Sequence, residues 1–317
     1  MCLAKPYTLV LTHDIDVLSV VELPLGRTLG GFFYRCVAEN LVRLIGRRIS
    51  LSQYVSSLGA ALDYVPAKLG FCLDGWARSL RTMLDIERAH GVRSTLFFIP
   101  LRGEPGIRPE DGRPAPGNRA AFYRLSDYRE VLQQLVSDGW EVGVHGIDAW
   151  RSVEDARREL HALKAVCPQQ GRVGVRIHWL YQKPGMWKHL DEAGFFYDST
   201  LGWNDRIGFP EGRYTPFKPD GSKNLLLLPL NIQDGALFGR AYLNLCPEQA
   251  WQAIDKVLDV ARANHAVVTV LWHNNSFVAP RFWGGLYERI IRQAKAEGAE
   301  ILTAGQAVAK HCGMREG

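Results

Sequence analysis

Apolar runs of strand-like composition alternate along the chain with segments of helical periodicity. The strand-like runs lie at 8–12, 94–100, 141–144, 173–175, 195–200, 225–230, 266–272 and 300–303. Segments whose apolar residues recur every three or four positions lie between them, at 76–90, 125–138, 153–166, 187–193, 247–264 and 287–297. This alternation predicts right-handed strand–helix–strand units, and therefore an α/β fold on a parallel sheet.

Several of these predicted strands end in ionisable side chains. In chain order, the ends carry Asp14 and Asp16, His145, Arg176, Asp234 and His273. The carboxyl ends of parallel strands meet on one side of a barrel-like sheet, and enzymes with such sheets build their active sites there. The repetition therefore predicts a single functional site on that side.

The connection after the first strand is unusually long, at about sixty residues. Residues 27–64 show helical periodicity and include several arginines. We interpret residues 20–75 as a helical insertion within a single domain that spans residues 1–317. The insertion is expected to cap the site as a lid, to pack on its own domain, or to make a peripheral contact with an anionic membrane.

Composition excludes some functional classes. The 38 Lys and Arg residues against 33 Asp and Glu give a net charge of +5, which is too small to indicate nucleic-acid binding without a basic stripe. The six cysteines are scattered without a C-x-x-C pair, as expected for reduced thiols. No signal-like start and no membrane-length apolar run is found, so a cytoplasmic location is expected.

Asp14 and Asp16 are the strongest chemical signal in the chain. They are two residues apart at a strand end, so their carboxylates point roughly the same way and repel each other. A divalent cation relieves this repulsion if one carboxylate is a ligand and the other is held close as a base. The alternative is a turn with two solvated aspartates.

Five motifs in the same order resemble those of a known family. Thr12–Asp16 corresponds to the family's first motif, T-F-D-D-G or D-x-D, and Ser94–Phe98 to its A-T-F-F strand. Glu141–His145 corresponds to the start of the second motif. Arg176–Trp179 corresponds to R-x-P-Y, and Leu271–His273 to L-x-H. On these motifs the chain resembles the NodB-type polysaccharide deacetylases, in a divergent branch with H-D-x-D, H-G-x-D-x-W and R-x-H-W. The resemblance implies an irregular (β/α)7-type barrel and a metal-dependent amide hydrolase site.

The resemblance also implies roles for individual residues. Asp14 would be the catalytic base, Arg176 the cation that holds it ionised, and His273 the acid that protonates the leaving amine. Asp16 and His145 would bind the metal, for which zinc is the expected ion.

One departure from the family pattern concerns the third metal ligand. The second motif is H-x-x-x-H in the family, but Ala149 stands where its second histidine is expected. The third motif has His178 in place of a proline. A catalytic zinc site needs three protein ligands, so we infer that His178 replaces the lost ligand. Asp148, one residue from Ala149, is the competing candidate, because oxygen ligands suit harder metals.

Candidate substrate-binding residues follow the same strand ends. Trp179, Trp203, Trp272 and Trp283 offer aromatic faces on which sugar rings could stack, although aromatic residues are more often core. The polar candidates for hydroxyl or phosphate groups are Asp205, Arg213, Asp234 and Asn274.

The expected function is removal of an acyl group, N-acetyl in the main hypothesis, from a sugar in envelope polysaccharide or O-antigen biosynthesis. The expected substrate is a carbohydrate carried on a nucleotide or a lipid.

Two alternatives remain open, namely a metal amidase acting on a small non-sugar C–N bond, and a non-catalytic carbohydrate-binding or assembly protein. G-x-S-x-G, P-loop and G-x-G-x-x-G motifs are absent from the sequence, so nucleophilic-serine and nucleotide-binding functions have no support.

Overall fold

The computed structural model describes residues 5–313, and its centre is a curled sheet of parallel strands. The strands are β1 Thr8–Ile15, β2 Thr95–Phe98, β3 Glu141–Gly146, β4 Gly174–Ile177, β5 Tyr197–Asp198, β6 Leu226–Leu227, β7 Ile232–Gln233, β8 Val267–Leu271 and β9 Glu300–Leu302. Their order in the sheet is β6-β5-β4-β3-β2-β1-β8-β7, and β9 also pairs with β1. The predicted α/β class with a barrel-like parallel sheet is confirmed.

Strand β1 is the centre of the sheet. It pairs in parallel with β2, β8 and β9, and every residue from Thr8 to Ile15 is buried. Burial on both faces explains why the strand is an almost continuous apolar run rather than an alternating one. The polar residues Thr12 and Asp14 belong to this buried strand and must therefore find partners inside the protein.

Helices cover the outside of the sheet. They are α1 Arg27–Tyr34, α2 Asn40–Ile45, α3 Leu51–Leu62, α4 Tyr64–Lys68, α5 Ser79–His90, α6 Arg129–Ser137, α7 Val153–Val166, α8 Met186–Ala193, α9 Asp234–Phe238, α10 Pro247–Asn264, α11 Gly284–Ala296 and α12 Ala304–His311. The short helices α9 and α12 were not predicted from the sequence. Helix α12 begins with a capping box, in which the Thr303 side chain accepts from the Gln306 N–H and the Gln306 side chain from the Thr303 N–H.

The predicted strand at 225–230 is divided in the structure. Its first part, β6, pairs with β5 at one edge of the sheet. The chain then crosses to the opposite edge, where β7 pairs with β8. Along the crossing, the Leu228 N–H donates to the Asp198 carbonyl and the Leu230 N–H to the Leu201 carbonyl. One apolar run thus joins both edges of the curled sheet, because its backbone changes partners midway.

Helices α1 to α4 lie in the segment interpreted as a helical insertion, with a π-helical stretch at Arg35–Glu39 between α1 and α2. Its base is tied to the chain just beyond β8. The Trp76 indole donates to the Ala279 carbonyl at 3.1 Å, and the Asn40 amide donates to the Pro280 carbonyl at 3.0 Å. The segment is therefore fixed next to the loop that follows His273.

The five cysteines between residues 5 and 313 are free thiols, as the sequence analysis expected. Cys2 lies outside the described residues, as do the two ends of the predicted 1–317 domain. Within the described range, no helix is both long enough and apolar enough to cross a membrane.

Close packing around Gly174 generates a prediction for stability. A Cβ added at Gly174 would lie 2.0 Å from the ring carbon Cζ of Tyr197. The Tyr197 ring is fully buried, and its hydroxyl donates to Glu141 at 2.8 Å. Gly174→Ala should therefore lower the free energy of unfolding by about 1–3 kcal/mol, the usual cost of overpacking a core. Urea unfolding measures this change.

Gly171→Ala is the matched control, because a Cβ there meets no heavy atom within 4 Å. It should change the unfolding free energy little. Equal stabilities for the two variants would contradict the packing described for β4 and β5.

Candidate active site

The carboxyl ends of β1, β3, β4 and β8 bring most of the predicted catalytic and metal-binding residues together. Asp14 is in β1, and Asp16 is the first residue after that strand. His145 is near the end of β3, while Arg176 is in β4 and His178 just beyond it. His273 follows β8 by two residues. The cluster lies at the carboxyl end of the sheet, where the sequence analysis expected a site.

Arg176 is the fully buried cation of the cluster. Its Nη1 donates to Asp14 Oδ1 at 2.9 Å and to Thr12 Oγ1 at 2.9 Å. Its Nε and Nη2 donate to the backbone carbonyl and the hydroxyl of Ser199, and the guanidinium carbon lies 4.6 Å from the centre of the Phe97 ring. Because both sides of the guanidinium are held, the Asp14 carboxylate is fixed in position by a charge-assisted hydrogen bond.

Asp16 lies among three imidazoles. Its Oδ1 is 3.3 Å from His145 Nε2 and 3.7 Å from His178 Nε2, and its Oδ2 is 3.6 Å from His273 Nε2. Burial by itself would raise the pKa of Asp16. The neighbouring His178, His145 and His273 outweigh burial and hold the pKa well below its usual range. Asp16 is therefore a carboxylate at any ordinary pH.

The two histidines beside Asp16 are set by their surroundings. His145 Nδ1 is 2.9 Å from the Arg176 carbonyl, which can only accept, so Nδ1 carries a proton and Nε2 is the nitrogen left to bind a metal. Burial lowers the pKa of His178 well below its ordinary value, so the His178 ring is neutral. The two ring centres are 4.6 Å apart.

This cluster fits a divalent cation. Asp16, His145 and His178 each offer one donor atom within 4.8 Å of the others. Asp16 Oδ1 and His145 Nε2 are buried and have no hydrogen-bond partner among residues 5–313, although buried polar atoms are nearly always paired. One carboxylate and two imidazoles are suitable ligands for zinc and related metals.

His273 is oriented by a buried carboxylate. Its Nδ1 donates to Asp234 Oδ1 at 2.6 Å, and its backbone N–H donates to Asp234 Oδ2 at 3.0 Å. The Ser276 hydroxyl also donates to Asp234. Burial opposes a charged imidazole, but the Asp234 charge and hydrogen bond outweigh it and raise the pKa of His273 to about 9. His273 is thus a protonated acid at neutral pH, with Nε2 facing Asp16.

Two charged residues hold the loops around the metal-ligand candidates. Glu159, which is buried in α7, accepts from the N–H groups of Ile147 and Asp148 at 2.9 and 2.7 Å. Arg119 is fully buried and donates to the carbonyls of Ile147 and His178 at 2.8 and 3.0 Å. Together they fix the backbone after His145 and at His178.

Comparison with sequence-family models and with curated proteins gives no match. Comparison with solved structures does give matches over nearly the whole chain. A protein classed as a polysaccharide deacetylase from Mycobacterium smegmatis aligns with a TM-score of 0.57 and 16% identity, covering 99% of this chain and 94% of the other. A second such protein, from Pseudomonas aeruginosa PAO1, gives 0.57 and 15%, with 97% and 91% covered.

The fold is that of the polysaccharide deacetylases. Puue allantoinase also has it, with a TM-score of 0.59, 13% identity and coverage of 98% and 91%. At these identities the likeness establishes the deacetylase fold alone, so function depends on the residues in the site. The resemblance stated from the motifs is confirmed at the level of the fold.

The deacetylase fold of this chain brings His178, and not Asp148, next to Asp16. Asp148 Oδ1 accepts from the Ile107 N–H at 3.0 Å, and its Oδ2 faces Arg151 at 3.2 Å. These contacts turn the Asp148 carboxylate toward the loop after β2. Asp148 is therefore an unsuitable third ligand in this geometry.

Two predicted substrate-binding residues need correction, because both are buried in structural contacts. Asp234 is fully buried and its oxygens accept from His273 and Ser276, so it orients His273 instead of reaching a substrate. Asn274 is 1% exposed, and its amide donates to the Val17 carbonyl and the Ser79 hydroxyl. Asn274 therefore ties the loop after β8 to the chain just before the insertion and to α5.

The aromatic candidates differ in their exposure. Trp272 is fully buried and cannot be a sugar platform. Trp179 and Trp203 are half-buried, and the Asn204 amide donates to the Trp179 carbonyl at 3.0 Å, so their two loops are adjacent.

Asp205 and Arg213 lie on the exposed surface. Asp205 pairs with Arg206 at 3.2 Å, while the Arg213 guanidinium carbon lies 4.4 Å from the centre of the Phe217 ring. Within residues 5–313, neither side chain hydrogen-bonds or ion-pairs with the cluster around Asp16. A role for either in substrate binding remains a prediction.

Glu159 and Arg119 were missed by the sequence analysis. For Glu159 a signal existed, because it stands among Ala156, Leu160 and Leu163 on the buried side of α7, where a lone carboxylate is unusual. No sequence pattern pointed to Arg119, because it lies in an irregular segment rich in proline and glycine.

The buried position of Glu159 predicts how stability depends on pH. Burial raises the pKa of Glu159 from 4.5 to about 7, although its two backbone hydrogen bonds act in the opposite direction. Between these two values the folded chain binds a proton that the unfolded chain has released, so stability falls as the pH rises. Glu159→Gln cannot titrate, and its unfolding free energy should decline less from pH 4.5 to 7 in urea unfolding experiments.

Glu130→Gln, an exposed change in α6, is the control and should keep the wild-type pH profile. Parallel profiles for Glu159→Gln and the wild-type chain would contradict a raised pKa at Glu159.

The geometry around Asp16 predicts which substitution removes metal. His178→Gln should weaken zinc binding by more than about 100-fold, because loss of a ligand costs more than the 10–100-fold typical of a residue that only orients one. Asp148→Asn should leave the affinity nearly unchanged. Competition titration with a chromophoric chelator measures both. Strong zinc binding by His178→Gln together with weak binding by Asp148→Asn would reverse the assignment.

Proposed function

We propose that this protein is a metal-dependent hydrolase that removes an N-acetyl group from a sugar used to build envelope polysaccharide such as O-antigen. The observation that carries the proposal is the joint position of a metal-ligand set, a carboxylate held by arginine and a histidine held by aspartate. Asp16 lies within 4 Å of His145, His178 and His273, and His145 Nε2 is 3.7 Å from Asp14 Oδ2. Metal-assisted amide hydrolysis uses these three parts together.

In this proposal Asp16, His145 and His178 would hold the cation. When bound, it would supply Lewis-acid polarisation of the amide carbonyl and a nucleophilic water near neutral pH. The His145 proton is fixed on Nδ1 by the Arg176 carbonyl, so its Nε2 is available as a ligand without further reorganisation.

Asp14 is the proposed general base. Its Oδ1 is occupied by Arg176, whereas Oδ2 faces His145 Nε2 at 3.7 Å. The free oxygen can accept the proton that an attacking water releases. Arg176 prevents the Asp14 carboxylate from rotating away, because the guanidinium itself is held by Ser199 and Thr12.

His273 is the proposed general acid. Cleavage of the C–N bond produces an amine that must gain a proton as it leaves. Protonated His273 can donate this proton from Nε2, while Asp234 stabilises the charged ring through Nδ1. The proposed acid, His273, thus lies just after β8, and the proposed base, Asp14, lies in β1.

The proposed substrate is an N-acetyl sugar carried on a nucleotide or lipid, with the reaction in the cytoplasm. The free thiols between residues 5 and 313 are compatible with a reducing compartment. Trp179 and Trp203 are the proposed stacking surfaces for the sugar ring.

Hydrolysis of a small non-sugar C–N bond is the second candidate. The likeness to an allantoinase, at a TM-score of 0.59, favours it, because that enzyme is named for a small molecule and not for a polysaccharide.

Turnover assays on a substrate panel separate these two candidates. We expect acetate release from N-acetyl sugars in nucleotide- or lipid-linked form, in the presence of zinc. Release from small cyclic amides together with no release from any N-acetyl sugar would overturn the deacetylase proposal.

The assigned base predicts the behaviour of Asp14→Asn. Turnover should fall by about 10²–10⁴-fold, the usual contribution of a general base, while the zinc content stays at the wild-type level. Steady-state kinetics and elemental analysis of the same sample test both parts.

Asp220→Asn, an exposed change, is the control and should keep full activity. Loss of zinc from Asp14→Asn would show that Asp14, and not only Asp16, is a metal ligand.

A further inference from the structure

Exposed apolar side chains are concentrated in one segment of the chain. Thirteen of the eighteen large apolar residues that are exposed within residues 5–313 lie between positions 25 and 73. They are Leu25, Tyr34, Val37, Leu41, Val42, Ile45, Leu51, Val55, Leu62, Val65, Leu69, Phe71 and Leu73. Scattered exposed apolar residues are normal, but a concentration of this kind marks an interaction surface.

Most of these side chains lie on the helices of the insertion. Along α3 and α4 the exposed positions Leu51, Val55, Leu62 and Val65 follow helical spacing, and Leu69 continues it one residue beyond α4. Ser57 and Ala67, on the inner side, are buried. Aliphatic residues therefore face outward along this side of α3 and α4, where an amphipathic helix usually carries polar ones. We call the thirteen side chains the apolar outer face.

The same segment carries an excess of cations. Residues 25–73 contain six Lys and Arg residues and two acidic residues, a difference of +4. One acid, Glu39, is already paired with Arg35 and Arg43 at 3.5 and 3.0 Å. The other, Asp63, faces Arg78 at 3.5 Å.

Four of the six cations form no ion pair within residues 5–313, and one of them, Lys68, donates to the Val21 carbonyl. Arg27, Arg47 and Arg48 are exposed and form no ion pair within the part of the chain that the structure describes. Arg47 and Arg48 directly follow α2, close in sequence to Ile45, which is 75% exposed. Positive charge and exposed aliphatic surface thus occur side by side.

We propose that the apolar outer face docks on the surface of an anionic lipid bilayer. Aliphatic side chains would enter the interface, and Arg27, Arg47 and Arg48 would lie at the level of the anionic headgroups. A second copy of this chain is a poorer occupant, because pairing the same faces would bring two surfaces of +4 together. An anionic bilayer supplies the opposite charge.

Docking there would place the mouth of the candidate site near the membrane. The insertion leaves the sheet just after Asp16, and Asn40 and Trp76 tie it to Pro280 and Ala279 beyond His273. The docking itself does not depend on the proposed reaction. If both hold, the sugar substrate is one that a membrane lipid carries.

Co-sedimentation of the full chain with lipid vesicles tests the proposal. We expect binding to vesicles of phosphatidylglycerol and phosphatidylcholine, and weak binding to phosphatidylcholine alone. Arg47→Gln with Arg48→Gln should lower the affinity about 25-fold, because each cation near the surface contributes about fivefold. Ile45→Gln with Leu62→Gln should lower it at least about tenfold. Circular dichroism checks that each variant is folded.

Matched pairs elsewhere on the surface are the controls. Lys164→Gln with Lys256→Gln removes two exposed cations outside the insertion, and Val131→Gln with Val260→Gln removes two exposed aliphatic side chains. Both pairs should bind like the wild-type chain.

Equal binding to charged and neutral vesicles, or equal losses in test and control pairs, would overturn the proposal. Absence of vesicle binding together with a dimer that Ile45→Gln with Leu62→Gln dissociates in sedimentation would instead assign the face to self-association.

Discussion

The repulsion between Asp14 and Asp16 is the constraint on which the site depends. The two carboxylates stand at one end of the central strand, where Asp14 is buried and Asp16 half-buried, and buried charges are tolerated only when they are paired. The chain supplies Arg176 for Asp14. For Asp16 it supplies three histidines, and two of them lie with Nε2 within 4 Å of Asp16 Oδ1. Because Asp14 has a fixed guanidinium and Asp16 has imidazoles, the place for a metal is beside Asp16.

Arg176 connects the two halves of this arrangement. Its guanidinium holds Asp14, while its backbone carbonyl sets the proton on His145. His273 is held in the same way by Asp234. Each reacting group is thus oriented by a buried partner, which is how a site is kept ready without reorganisation during the reaction. The loops beyond the strands are held separately, by Glu159 and Arg119.

The parts of this picture that follow from sequence are those set by local periodicity. Apolar strands ending in Asp16, His145 and His273 predict a common site, because parallel strands end on the same side of a sheet. The choice between His178 and Asp148 depends on contacts with residues far along the chain, such as Ile107 and Arg119. The motifs favoured His178 because one histidine is lost at Ala149 and one gained at 178, but the contacts that turn Asp148 away could be seen only in the fold.

The same limit explains the two wrong predictions. Asp234 and Asn274 are polar residues near strand ends, as substrate-binding residues often are. Their partners come from elsewhere in the chain: His273 and Ser276 bond to Asp234, while Val17 and Ser79 bond to Asn274. Burial of the two side chains by these partners could be seen only once the chain was folded.

X-ray absorption at the zinc edge of the reconstituted protein tests the central claim, that Asp16, His145 and His178 together hold one divalent cation. The account predicts a first shell of nitrogen and oxygen at about 2.0–2.2 Å, with the multiple-scattering signature of two imidazoles. A shell that contains sulfur, or only one imidazole, would contradict it.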